Sequence, residues 1–417
     1  MDRLRITGGA KLNGSVAVSC SKNAYLPIIA GVLLSDQPIT LKGLPALRDI
    51  KTMQRLLGNL GVKISSCPAG VKFCADQITS LEAKYDLVST MRASILVLGP
   101  LLTRFKKAVV SLPGGCAIGV RPIDLHLKYL EKMGAKIKIC AGHVEASTSQ
   151  LIGTKLVLPF PSVGATENLM MAAVLAEGTT EIENAALEPE IKDLANFLIT
   201  LGAKIHGAGS PVISIEGVPK LGGGEYRAIG DRIEAATYII AGIITKSKVT
   251  VTGFNPQHLD AVLNTLTDMG AQLTVGRDFV TVGPSDQLTG VCIDTAPYPG
   301  FPTDVQAQLV ALATTANSSS MISERIFENR FMHLPELGRM GASFSLKGKT
   351  AMIIGSDDLN GAPVMCTDLR ASAALVLAAL VAKGESEILR VYHLDRGYDN
   401  LDGKLKSLGV SLERVNS

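Results

Sequence analysis

The sequence predicts an α/β protein of two domains, built from six repeated units of about 70 residues, three per domain. Three observations carry this. A short signature, the end of an amphipathic helix followed by Gly and an alternating strand, recurs as LGNLGVKI (Leu57–Ile64), LEKMGAKI (Leu130–Ile137), LITLGAKI (Leu198–Ile205), LTDMGAQL (Leu266–Leu273), LGRMGASF (Leu337–Phe344) and LKSLGVSL (Leu405–Leu412). Its glycines, Gly61, Gly134, Gly202, Gly270, Gly341 and Gly409, are spaced by 73, 68, 68, 71 and 68 residues, the period of an array of one supersecondary unit. Upstream of each lies a stretch of helical length that is apolar nearly all round, as a buried helix must be.

Taken in order, these stretches are SKNAYLPIIAGVLL, TMRASILVLGPLL, SVGATENLMMAAVLAEG, DRIEAATYIIAGIIT, PTDVQAQLVALATTA and TDLRASAALVLAALVAKG. Each opens on a polar cluster and is followed by a β-rich run such as PITLKGL or KVTVTGF. A second, amphipathic helix then leads to the repeat glycine, which suits a left-handed helix C-cap. Period-2 and period-3.6 segments alternate, which is the α/β pattern. The expected division is a first three-repeat domain over 22–228, with a loop at 111–121, and a second over 229–417. Repeat spacing alone leaves the strand pair Leu4–Val18 free to join either.

Composition excludes several classes. With 47% hydrophobic residues and 19% charged, the chain has material for sizeable cores and is not disordered. With Trp 0, Tyr 8 and Phe 10, those cores are aliphatic. Basic and acidic residues nearly balance, 41 against 38, and no Lys/Arg run exceeds two, so no nucleic-acid footprint is expected. Seven cysteines without a C-x-x-C pair argue against a disulfide framework or a zinc site, and for a reducing, cytoplasmic compartment. The opening MDRLRIT is not a secretory signal, and the longest apolar run, Ala373–Ala382, falls far short of the roughly 20 residues a spanning helix needs, so no membrane partner is expected.

Charge at the starts of apolar helices points to a site. Lys22 and Asn23 open the first, Arg92 the second, Asp231 and Arg232 the fourth, Asp304 the fifth, and Asp368 with Arg370 the sixth. Asp there is an ordinary N-cap, whereas Lys or Arg opposes the helix dipole and needs another reason. Converging helix N-termini with basic side chains would bind anions in a cleft between the two domains. Two loops add to this. SLPGGCAIGVRPIDLH (Ser111–His126) sets Cys116 and Arg121 among glycines, as a mobile lid would, and a nearby cation favours the thiolate. FENRFMHLPEL and VYHLDRGYDNL place Arg330 and Arg396 at equivalent points of repeats five and six.

The motifs SKNAYLPIIAG, TMRAS, LPGGCAIGVRPIDLH, PSVGATEN, EPEIKDLANFL, GDRIEA, PGFPTDVQAQ, FENRFMH, TDLRASAALVLA and HLDRGY, spread over the whole chain, resemble the enolpyruvyl transferase family in its UDP-N-acetylglucosamine branch. The resemblance implies a two-domain inside-out α/β barrel, three repeats per domain with helices inside and sheets outside, and places the N-terminal strands, 1–21, with 229–417 in the second domain beside 22–228 as the first. It implies transfer of the enolpyruvyl group of phosphoenolpyruvate to the 3′-hydroxyl of UDP-N-acetylglucosamine. Phosphate is released through a tetrahedral intermediate, in the first committed step of peptidoglycan synthesis. Cys116 matches the family's lid cysteine, the proton donor that forms a covalent adduct with phosphoenolpyruvate and is alkylated by fosfomycin-type epoxides. Asp304 matches the base beside the sugar hydroxyl. Lys22, Asn23, Arg121, Arg330, Asp368, Arg370 and Arg396 would meet phosphoenolpyruvate or the intermediate, with Lys22 and Arg396 acting in the chemistry. Arg92, Arg121, Pro122, Ile123, Asp124, Leu125, Ser162, Val163, Gly164, Asp304 and Ile326 would meet the nucleotide sugar. No metal and no organic cofactor is implied, and the partners are small molecules; the oligomeric state does not follow. Cys20, Tyr25, Pro159 and Tyr298 depart from the family pattern at positions outside the chemistry. The sister branch acting on shikimate 3-phosphate usually carries Ser-Lys-Ser and a Gly-Asn-Ala-Gly-Thr loop; here Ser21-Lys22-Asn23 and Cys116 stand instead. A non-catalytic nucleotide-sugar-binding paralogue would not need every catalytic position filled.

Overall fold

The computed structural model describes residues 2–112, 123–285, 287–356 and 358–415. They form two compact units: residues 20–112 with 123–229, and residues 2–19 with 230–415. Each has its own aliphatic core and its own three four-stranded sheets.

Within a unit the repeat is a strand, a buried helix and a parallel strand, then an amphipathic helix and an antiparallel pair. The third repeat shows it plainly. Strand Lys155–Val157 pairs in parallel with Thr179–Glu183 across the helix Val163–Ala173. Helix Pro189–Thr200 leads to Gly202, and Lys204–His206 pairs antiparallel with Val212–Glu216. All six repeat glycines have φ between 95° and 107°, the left-handed cap in which a Cβ is strained.

The buried helices are Lys22–Gly31, Leu98–Phe105, Val163–Ala173, Arg232–Ile244, Gln306–Ala313 and Leu369–Val381. Four are capped by the side chain ahead of them, Ser21, Ser162, Asp231 and Asp368, which accept from amides of the first turn. The other two are entered through 3₁₀ turns, Arg92–Val97 and Thr303–Val305. The departing residue Tyr25 is wholly buried; its hydroxyl donates to the Lys42 carbonyl and accepts from the Ala228 amide.

Two strands cross between the sequence blocks. Gly224–Tyr226 pairs in parallel with Ile39–Leu41 and completes the first sheet of the 20–229 unit. Asn13–Ala17 takes the corresponding place beside Lys248–Thr252 in the other unit. The sixth repeat has only one strand after Gly409, Leu412–Val415, and its return strand is Arg3–Thr7 from the other end of the chain. Glycine packing confirms the equivalence. A Cβ on Gly8, just after Arg3–Thr7, would lie 1.7 Å from the Ala382 carbonyl oxygen. A Cβ on Gly217 or Gly355, after the return strands of repeats three and five, would lie 1.7 or 1.9 Å from the carbonyl oxygen of Ala176 or Ala316.

Candidate functional site

Because the central helices are buried all round, their polar first turns are where chemistry can sit. In the 20–229 unit, Lys22 is the first residue of its helix and is buried; its Nζ lies 3.1 Å from Oδ2 of Asp49, a buried acid in the first turn of helix Arg48–Leu60. Asn23 follows it, half-buried. Arg92 opens its 3₁₀ turn, half-buried. Ile123 and Leu125 are buried at the start of helix Asp124–Lys132, with Asp124 exposed between them. Ser162, Val163 and Gly164 form the half-buried N-terminus of helix Val163–Ala173.

His126 organises this end. It is buried; a Cβ on Gly164 would stand 3.4 Å from its Cε1 and 3.5 Å from Nε2. Asn168 Nδ2 donates to the Ile95 carbonyl at 3.0 Å and approaches His126 Nδ1 at 3.1 Å, which assigns the imidazole proton to Nε2. Burial, with the charge of Arg92 adding, pushes His126 down to about 3, so it is neutral at physiological pH.

In the 230–415 unit the centre is Asp304. Arg330 Nη2 lies 2.6 Å from its Oδ1 and Arg370 Nη2 3.1 Å from its Oδ2. The two guanidinium side chains are only 6% and 3% exposed, while Asp304 keeps 25%, so the carboxylate is the open member. Arg330 Nη1 also donates to Thr303 Oγ1, and Thr303 donates to Glu324. Buried Glu324 accepts in addition from Thr295 and from the amides of Ile326 and Phe327, which fixes the turn carrying Ile326. Arg330 Nε and Arg370 Nη1 are buried with no hydrogen-bond partner among the described residues.

Asp368 caps the last buried helix through the Arg370 and Ala371 amides at 2.9 and 3.0 Å. Fully buried His333 is pushed down to about 4 by its burial, against the pull of Asp368 and with the push of Arg330. Arg396 ends the 3₁₀ segment Val391–Arg396, half-buried. Tyr298, another of the departures from the family pattern, has Arg232 over its ring at 5.7 Å.

The structure thus brings Asp304, Arg330 and Arg370 into direct contact, and sets Gly164 against His126. Cys116, Arg121 and Pro122 lie outside the described residues, as does most of the loop 111–121. Sequence reading passed over Asp49, His126, Asn168, Glu324, Gln308 and Tyr398. Among the described residues no group of three or more His, Cys, Asp or Glu side chains could hold a metal, and no helix is long and apolar enough to cross a membrane.

A family model described as EPSP synthase (3-phosphoshikimate 1-carboxyvinyltransferase) matches residues 6–405. UDP-N-acetylglucosamine 1-carboxyvinyltransferases of Nitratidesulfovibrio vulgaris and Desulfosudis oleivorans are each 51% identical to this chain, over the full length of both proteins. That of Psychrobacter sp. is 49% identical, covering all of this chain and 97% of the relative. The crystal structure of the enolpyruvyl transferase NikO from Streptomyces tendae superimposes with a TM-score of 0.89 at 26% identity, over 100% of this chain and 99% of that one. EPSP synthase from Acinetobacter baumannii shares the fold over the full length of both chains, with a TM-score of 0.78 at 19% identity.

Proposed function

From the premise that this chain belongs to the EPSP synthase family and is a transferase, we propose that it moves the enolpyruvyl group of phosphoenolpyruvate to the 3′-hydroxyl of UDP-N-acetylglucosamine and so opens peptidoglycan synthesis in the cytoplasm. The observation that carries the reading is the Asp304–Arg330–Arg370 cluster, one partly open carboxylate between two buried guanidiniums with donors to spare. Phosphoenolpyruvate carries a carboxylate and a phosphate, and arginine's planar fork meets both bidentately.

In the forward direction the Cys116 thiol gives its proton to C3 of phosphoenolpyruvate while the sugar 3′-oxygen bonds to C2. Asp304 takes the hydroxyl proton. From the tetrahedral adduct the Cys116 thiolate takes a proton back from C3, the C2–O bond to phosphate breaks as the phosphate receives the proton held by Asp304, and the double bond re-forms. Lys22, Arg121 and Arg396 would hold the phosphate, Arg370 and Arg396 the carboxylate, with Asn23, Arg330 and Asp368 beside them. Arg92, Arg121 to Leu125, Ser162 to Gly164 and Ile326 would hold the nucleotide sugar. With Nε2 protonated, His126 presents a donor at Gly164, where an anionic group would be met by a neutral N–H. In this reading the domains are 22–228, and 1–21 with 229–417.

The acceptor is chosen by kinship and by sequence: relatives named for UDP-N-acetylglucosamine stand at 49–51% identity, the EPSP synthase structure at 19%. The deciding experiment is phosphate release from phosphoenolpyruvate with either acceptor, wild type beside Cys116→Ser. Release with UDP-N-acetylglucosamine alone, lost in the variant, is expected. Release with shikimate 3-phosphate would transfer the protein to the sister branch, and release from neither would leave a binding paralogue.

A further inference from the structure

Behind the Asp304 cluster lies a buried hydrogen-bonded chain whose direction can be worked out atom by atom. Thr237 Oγ1 donates its single proton to the Ile233 carbonyl at 2.9 Å within their own helix. It therefore accepts from the Tyr398 hydroxyl, 3.0 Å away. Burial pushes the Tyr398 phenol above its ordinary value, so the hydroxyl keeps its proton and is the donor. Gln308 Nε2 approaches the Asp304 carbonyl oxygen at 3.0 Å, Tyr398 Oη at 3.2 Å and Thr237 Oγ1 at 3.2 Å. The Asp304 carbonyl can only accept, so the amide nitrogen, not the oxygen, must face it, and the second amide proton is shared between the two hydroxyl oxygens. Gln308, Tyr398 and Thr237 are all buried, on three separate segments of the 230–415 unit.

The chain ends on both members of the ion cluster. Through Gln308 it grips the backbone of Asp304. Through the Tyr398 ring it makes a platform for Arg370, whose Cζ lies 5.5 Å from the ring centroid. A guanidinium stacked on a fixed ring keeps one plane, and with it the direction of its in-plane N–H groups. One of those, Nη2, meets Asp304; another, Nη1, is buried and without a partner among the described residues.

We propose that Tyr398, fixed by Thr237 and Gln308, is a positioning residue that sets the plane of Arg370 and thereby the affinity for the phosphoenolpyruvate carboxylate. This rests on the function proposed above. In this proposal Tyr398 acts on the substrate only through Arg370.

The test compares four variants with wild type. Tyr398→Phe keeps the platform and removes the hydroxyl, and should raise KM for phosphoenolpyruvate roughly five- to tenfold. Tyr398→Leu removes the platform and should raise it on the order of a hundredfold. Thr237→Val breaks the chain and should resemble Tyr398→Phe, whereas Thr237→Ser retains the acceptor and should stay within about twofold of wild type. In all four, KM for UDP-N-acetylglucosamine should stay within about twofold, a split that a general loosening of the fold would not produce. A second readout needs no turnover: the NMR signal of the Arg370 Nε–H, identified by its loss in Arg370→Lys, should be sharp in wild type and exchange-broadened in Tyr398→Leu. Wild-type KM for phosphoenolpyruvate in Tyr398→Phe and Thr237→Val, or equal rises in both KM values, or an Arg370 signal indifferent to Tyr398, would each overturn the proposal. If wild type releases no phosphate with either acceptor, the functional reading fails, and the Arg370 signal still decides the positioning role.

Discussion

Replacing Asp304 by Asn keeps the shape of the side chain and removes the carboxylate with which both Arg330 and Arg370 pair. Both guanidinium side chains are nearly inaccessible, at 6% and 3%, so water cannot solvate them once the carboxylate is gone. Opposite charges about 4 Å apart at an effective dielectric near 20 attract by roughly 4 kcal/mol, most of it offset by desolvation while the pair is intact. Removing one partner exposes that penalty, commonly about 3–5 kcal/mol, and here two cations share the loss. Because Asp304 is itself 25% exposed, the lower end applies, about 3 kcal/mol. At roughly 2–4 °C per kcal/mol for a unit of this size, Asp304→Asn should melt about 6–12 °C below wild type. Scanning calorimetry of both proteins at one scan rate measures it. Inorganic phosphate should then stabilise the variant more than wild type, since an anion replaces the missing charge. A melting temperature within 2 °C of wild type, with no extra response to phosphate, would refute the picture of two buried cations held by one carboxylate. Turnover should fall about 10²–10⁴-fold in the same variant if Asp304 is the base.

Two further outcomes follow from the packing. Glu234 is buried in the first turn of its helix, accepts from the Ser19 amide and pairs with Lys404, yet burial outweighs Lys404 and raises its pKa to about 7. The folded protein therefore binds more protons than the unfolded chain between about 4.5 and 7, so this group's contribution to stability falls as pH rises through that window. Urea unfolding of wild type against Glu234→Gln should show wild type losing roughly 3 kcal/mol relative to the variant from pH 4.5 to 7, and parallel curves would contradict it. Gly8→Ala, Gly217→Ala and Gly355→Ala should each destabilise by on the order of 2–3 kcal/mol, because a Cβ at 1.7–1.9 Å from a carbonyl oxygen forces the backbone apart. Equal costs at all three, read from melting curves, would match the repeat equivalence, and a silent Gly8→Ala would break it.

Much of the fold was legible because it is written in short-range pattern. Six glycines at a near-constant period needed only the left-handed cap to be read correctly, and the all-apolar stretches could only be buried helices. The place of Leu4–Val18 was not legible from the residues, because its partners, Glu385–Leu389, Leu412–Val415 and Lys248–Thr252, lie hundreds of positions away and no local period marks them. At the site, charges on helix starts pointed to Asp304 and Arg370, and the FENRFMHLPEL loop to Arg330; the structure joins the three. Their supports escaped notice for the opposite reason. Gln308 is a polar residue inside QAQLVALA, a buried polar group that must have a partner, and that demand was the signal; the partner, Tyr398, lies ninety residues on. Asp49 stands in the first turn of its helix, where an acid is ordinary, and only its burial beside Lys22 reveals its use.

The return strand borrowed from the start of the chain has a consequence for how the protein is made. The 20–229 unit is continuous in sequence, and its last strand, Gly224–Tyr226, pairs back onto its first repeat, so it can close while synthesis continues. The other unit cannot. Arg3–Thr7 is made hundreds of residues before Glu385–Leu389 and Leu412–Val415, its two neighbours, and must wait for both. At roughly 5–20 residues per second, the 189 residues from Tyr226 to Val415 take about 10–40 s. Throughout that interval Arg3–Thr7 has two bare edges and no sheet to join, the condition under which nascent chains call on chaperones. A unit that borrows its return strand from so far upstream trades speed of folding for a sheet that closes only when that strand's late partners have been made.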